Sequence, residues 1–159
     1  MSFKIILQLS VACMFLVFST LVAWYEGSEI VHTPWEWKYT AIFSEMVHGP
    51  VKQGTDILII DYFVYAAKFA SSFPLLMLLS STYIIILLGY ALLKRKGKKF
   101  PYFLSCIGVL FIVLSVLVPS SPTIGLKSFF NCFLLMGILL IVIALLKLFN
   151  IMMFQKRLL

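Results

Sequence analysis

Lys94, Arg95, Lys96, Lys98 and Lys99 crowd five positive charges around Gly97, between two long apolar runs. Ammonium and guanidinium groups enter hydrocarbon only at a cost. Beside membrane helices they mark the cytoplasmic side. The cluster therefore divides the chain in two and acts as the topology determinant for both halves. The apolar runs cannot be the core of a soluble domain. Of 159 residues, 62% are hydrophobic and 12% charged, where a soluble chain is about half apolar and a quarter charged. Too little polar surface remains to cover such a core, so the bilayer is the solvent. The expected fold class is all-α: a polytopic membrane protein with four transmembrane helices and an outer amphipathic helix, in a single domain over 1–159.

The four runs are 3–25, 71–93, 100–118 and 128–149. The first, as a helix, is about 35 Å long, enough to span. It exceeds a typical signal-peptide core, and Leu21 occupies a place where a cut after Ala23 wants a small residue. It therefore reads as an uncleaved helix. Residues 57–70 are a lead-in to the second run, carrying Asp61 and Lys68, with Pro74 as a candidate kink at the join. Ser80, Ser81 and Thr82 form a small polar stripe, and Asn131 should face another helix rather than lipid.

Residues 26–56 are the long polar segment. Glu26, Glu29, Glu36, Glu45 and Asp56 stand there against Lys38 and Lys52, and Asp61 follows. Nine positives, Lys4, the five at 94–99, Lys147, Lys156 and Arg157, fall on the opposite side when four crossings are counted, while Lys127 falls on the acidic side with Lys38 and Lys52. This asymmetry places both termini in the cytoplasm of a multi-pass cell-membrane protein and residues 26–56 outside. Anionic lipid headgroups are the expected partners of the cytoplasmic positives, and nucleic acid is not.

Within the outer segment, Thr33-Pro34-Trp35-Glu36 has the form of a capping box with proline at the first helical position. Trp35, Tyr39, Ile42 and Met46 recur at helical spacing, and His48-Gly49-Pro50 supplies a stop. This predicts an amphipathic helix over 34–47, with Trp35, Glu36, Trp37, Tyr39 and Phe43 as the candidate interaction surface. Two stretches here, Trp24-Tyr25-Glu26-Gly27-Ser28-Glu29 and Pro34-Trp35-Glu36-Trp37-Lys38-Tyr39-Thr40, resemble an uncharacterised family of small membrane proteins of Bacillus-type bacteria. The resemblance covers the first half of the chain. It implies a bacterial membrane and no activity, and the second helix pair departs from that family's shorter pattern.

Asp61, Tyr65 and Lys68 share one helix face and make a candidate charge relay. The competing expectation is that the lead-in lies in the headgroup layer with its charges in water. Glu45 and His48 have metal-ligand spacing, but the motif occurs once, and His32, Glu29 and Glu36 would join only if the loop folded back. No metal site, cofactor or catalytic residue is expected. No nucleophile elbow or phosphate loop is present, and both histidines lie in the outer segment. Cys13, Cys106 and Cys132 lie in apolar runs and read as free thiols. The expected role is that of a non-enzymatic accessory or interaction subunit, meeting a membrane-protein partner or a second copy. The alternative is a small transporter, channel or pore component using Asp61 and Lys68.

Overall fold

The computed structural model describes residues 3–93, 98–118 and 123–156, with side chains to 153. Seven helices are described: α1 (Phe3–Gly27), α2 (Trp37–Thr40), α3 (Ile42–His48), α4 (Ile59–Phe69), α5 (Ser72–Leu93), α6 (Lys99–Leu117) and α7 (Ile124–Lys156). Short 3-10 turns cover Ser28–His32, Pro34–Glu36 and Gly54–Asp56, and no strand occurs among the described residues. Four helices, α1, α5, α6 and α7, are long and apolar enough to cross a membrane. Of the cationic cluster, 94–97 lie outside the described residues, while Lys98 and Lys99 open α6, both exposed.

The spans associate as two pairs. α1 lies along α5, and α6 lies along α7. The α6–α7 pair is the tighter. Phe100, Leu104, Phe111, Leu140 and Ala144 are buried between these helices. Gly108 and Gly137 face each other at the crossing. A Cβ on Gly108 would stand 3.0 Å from the Gly137 carbonyl oxygen, and one on Gly137 2.9 Å from that of Gly108. Without side chains there, the two backbones meet at van der Waals distance, the usual basis of helix association in lipid. Gly89 plays a comparable part toward α6, where the Phe103 ring fills its missing side chain.

The lead-in is a helix of its own. α4 ends at Phe69, and α5 begins at Ser72. Pro74 falls in the first turn of α5, where its missing amide costs no hydrogen bond, so it starts the helix instead of kinking it. Asn131 is exposed on α7, contrary to the expectation that it would face a neighbouring helix. Most serines and threonines described in the spans turn back on their own helix. Ser19, Thr20, Ser80, Ser81, Thr82 and Ser115 all donate to carbonyls three or four residues earlier. Each therefore satisfies its hydroxyl within its own helix.

The outer helix expected over 34–47 is broken. Its first turn is 3-10, α2 ends at Thr40, and Ala41 leaves the helical region at φ −86°, ψ 45° before α3 begins. Thr33 does not cap. Its hydroxyl points backward to the carbonyls of Ile30 (3.3 Å) and Glu29 (3.4 Å). The break has a tertiary cause. Ala41 is fully buried with Ile30 and Ile57 in a small core bordered by Trp37, Val51, Tyr62 and Tyr65. Burying Ala41 there turns the chain, and a second helix must start at Ile42. Gly49, at φ 78°, ends that helix in a conformation that strains any side chain.

Candidate functional site

A helix that starts in mid-chain needs acceptors for its free amides. α3 has no side-chain cap of its own. Asp61, two residues into α4, supplies the acceptors from 17 and 18 residues away. Its carboxylate accepts the amides of Phe43 (3.0 Å) and Ser44 (2.8 Å), and also the Ser44 hydroxyl. The Ser44 Oγ in turn accepts the Leu58 amide at 2.8 Å. Asp61, Ser44 and Thr40 are all fully buried. A carboxylate deprived of water is tolerated only with such a set of donors. The network fixes α3 and the loop before α4 to the same point. Asp61 thus stands in a closed socket and not in water at the headgroup layer, which corrects that expectation.

The three residues of the candidate relay are not brought together as a chain. Lys68 donates to the Tyr39 carbonyl at 2.7 Å, at the end of α2. Its ammonium satisfies a terminal carbonyl there, as cations at helix C-termini do. Burial lowers its pKa from the ordinary lysine value, and the Glu36 charge opposes that effect in part. Tyr65 packs against Phe69 with the rings tilted and centroids 4.7 Å apart, and borders the small outer core. Asp61 and Lys68 therefore hold two different helices of the outer segment onto α4.

The candidate interaction residues divide in the same way. Trp37 is half-buried, and its indole N–H donates to the Ile30 carbonyl at 2.7 Å, so it is part of the segment's core. Glu36 is half-buried. Trp35 is 72% exposed, and Tyr39, Phe43, Ile42, Met46 and Val47 are exposed with it. These exposed side chains are carried by the Pro34–Glu36 turn and by two short helices on either side of Ala41. Among the described residues, no group of three or more histidine, cysteine, aspartate or glutamate side chains is placed to hold a metal ion. Glu45 and His48 are both exposed. Cys13, Cys106 and Cys132 are free thiols.

A family model described as "Domain of unknown function (DUF4306)" matches residues 6–93. The chain belongs to this family. It is also similar to the uncharacterised protein YjdJ of Bacillus subtilis (strain 168), with 32% identity over 104 residues, covering 64% of this chain and 95% of that relative. No solved structure matches. The family match ends at Leu93, the last residue of α5. The DUF4306 unit is therefore α1, the outer segment, α4 and α5, and it contains the whole Asp61 socket. The α6–α7 hairpin lies beyond it. The hairpin meets the unit through α5 and α6, and where Gly125 of α7 rests on the end of α4.

The signal for the socket was half present in the sequence. An acid in an otherwise apolar lead-in marks Asp61. Nothing marks Ser44, a serine in the middle of an apparently continuous helical pattern.

Proposed function

We propose that the protein is a non-enzymatic integral membrane protein of the bacterial cell envelope, an accessory or interaction subunit acting through its outer aromatic–acidic segment. One observation carries this reading. The chain spends a buried aspartate, a buried serine and a small hydrophobic core on holding residues 28–58 in one shape. That shape leaves Trp35, Ile42, Met46 and Val47 exposed. A segment serving only as a connection between spans needs no such socket. Aromatic and methionine side chains on a rigid support are typical anchors of protein interfaces. The transporter alternative finds less support. The hydroxyls of Ser80, Ser81, Thr82 and Ser115 bond within their own helices, and Asp61 and Lys68 are engaged separately.

A photoreactive amino acid at Trp35 or at Met46 tests the reading in living cells. Both positions should crosslink to one and the same membrane or envelope protein, and a probe at Lys4 should not. Unrelated products from the two outer positions, or none, would remove the support.

The charge asymmetry supports a topology with this segment outside and both termini in the cytoplasm. In a variant lacking Cys13, Cys106 and Cys132, a cysteine at Glu29 should react with an impermeant thiol reagent in intact cells. One at Lys98 should react only after lysis. The reverse pattern would invert the arrangement.

A further inference from the structure

We propose that the cleft between α2–α3 and α4 binds an anionic glycerophospholipid, with an acyl chain in the cleft and the phosphodiester between Lys38 and Lys68. The cleft is about 500 Å3 in volume, walled by Ile42, Phe43, Ile60, Phe63, Val64 and Leu126, with Lys68 at its edge. Its position follows from the topology. α1 ends, and α5 and α7 begin, at the end of the bundle where α4 lies, and Leu126 belongs to the first turn of α7. The cleft therefore opens at the membrane boundary, where a lipid tail and its headgroup meet.

The rim has the matching charge. The Lys68 ammonium is 6.0 Å and the Lys38 ammonium 5.8 Å from the centre of the Tyr39 ring, which itself lines the cleft. Lys68 uses one N–H on the Tyr39 carbonyl, and an ammonium carries three. Glu36 acts on Lys68 through space, and the Asp61 carboxylate is enclosed by its own donors in the socket, so the cations presented at the cleft edge are Lys68 and the exposed Lys38. A soluble anion would gain nothing from the apolar wall, and a neutral lipid nothing from the lysines. An anionic amphiphile uses both. The larger groove of about 680 Å3 between α1 and α5 has no charged residue in its lining and offers no such selection. This inference is independent of the proposed partner. Lipid contact at 39–43 and 60–68 can fail while the Trp35 and Met46 crosslinks persist, and the reverse.

The test uses the full chain in liposomes with phosphatidylglycerol carrying a photoreactive acyl chain, and with phosphatidylcholine carrying the same chain. Adducts mapped by peptide mass spectrometry should appear on 39–43 and 60–68 with phosphatidylglycerol and be several-fold fewer with phosphatidylcholine. Lys38→Gln with Lys68→Gln should lower the phosphatidylglycerol adducts there about thirtyfold, given the attraction of each lysine for an anionic surface. Adducts on α6 and α7 should not change. Lys38→Gln alone, at an exposed position, should give a partial loss in a folded protein, and Lys68→Arg should retain labelling. Free glycerol phosphate in excess should compete poorly. Equal labelling by both lipids, labelling unchanged in the Lys38→Gln variant, or full competition by glycerol phosphate would each overturn the proposal.

Discussion

Asp61→Ala is expected to release the outer segment from the bundle, at a cost of at least about 3 kcal/mol. The substitution leaves the amides of Phe43 and Ser44 without acceptors and frees the Ser44 hydroxyl, the two Ser44 groups being buried and the Phe43 amide part-buried. Each orphaned buried donor costs about 1–3 kcal/mol. The gain from no longer burying a carboxylate offsets part of that. Asp61→Asn should cost less, about 2 kcal/mol, because one amide oxygen still accepts while the –NH2 is turned against a donor. Hydrogen exchange gives the specific readout. Amides 43–46 should lose protection in Asp61→Ala, and those of α6 and α7 should not. Double-mutant cycles on thermal stability in detergent then separate the partners. Asp61→Asn with Ser44→Ala should show coupling above about 1 kcal/mol, and Asp61→Asn with Lys68→Met should be additive within about 0.5 kcal/mol. Strong coupling to Lys68, or protected amides in Asp61→Ala, would contradict the socket.

The same residues show how far the sequence could be read. The four spans were legible because runs of about 20 apolar residues have one stable form in lipid, and their ends moved by only a few residues on folding. The last is the exception. α7 begins at Ile124, four residues before the expected start, and runs to Lys156. The family resemblance was legible in the Trp24–Glu29 and Pro34–Thr40 stretches, and the family match covers both. Periodicity failed in the outer segment. Trp35, Tyr39, Ile42 and Met46 do share a helical spacing, but spacing carries no information about a neighbour that captures amides from 17 residues away. The Thr33 box failed for a related reason. Local capping competes with other hydrogen bonds, and here the hydroxyl bonds backward to Ile30 and Glu29. Asp61 and Lys68 stand out in the sequence as charges in an otherwise apolar lead-in. Their shared helix face suggested a pair, while in three dimensions each holds a different short helix.

Gly27→Ala is expected to disturb the Asp61 socket, although Gly27 itself stands at the end of α1, next to the 3-10 turn Ser28–His32. A Cβ at Gly27 would lie 2.0 Å from the Tyr62 carbonyl oxygen and 2.5 Å from its carbon. The obstacle is backbone in the middle of α4, whose carbonyls are held in the helical ladder, so no side-chain rotation relieves the overlap. α4 must move away by more than 1 Å to restore ordinary contact. Asp61 precedes Tyr62 and moves with it, away from the Phe43 and Ser44 amides. Overpacking of this kind costs about 1–3 kcal/mol, and loss of the socket adds to it. Gly125→Ala provides the contrast. Its Cβ would meet the carbonyls of Ala67 and Lys68 at 2.2 and 2.4 Å, at the far end of α4. It should unseat α7 from α4 while leaving residues 43–46 protected, because α1 still holds α4 from the other side. Gly27→Ala should therefore lower both the melting temperature in detergent and the protection of amides 43–46, and Gly125→Ala the melting temperature alone. If Gly27→Ala leaves both unchanged, α4 does not rest on the end of α1. If Gly125→Ala deprotects the outer segment as well, the α6–α7 hairpin is a support of the family unit and not only an addition to it.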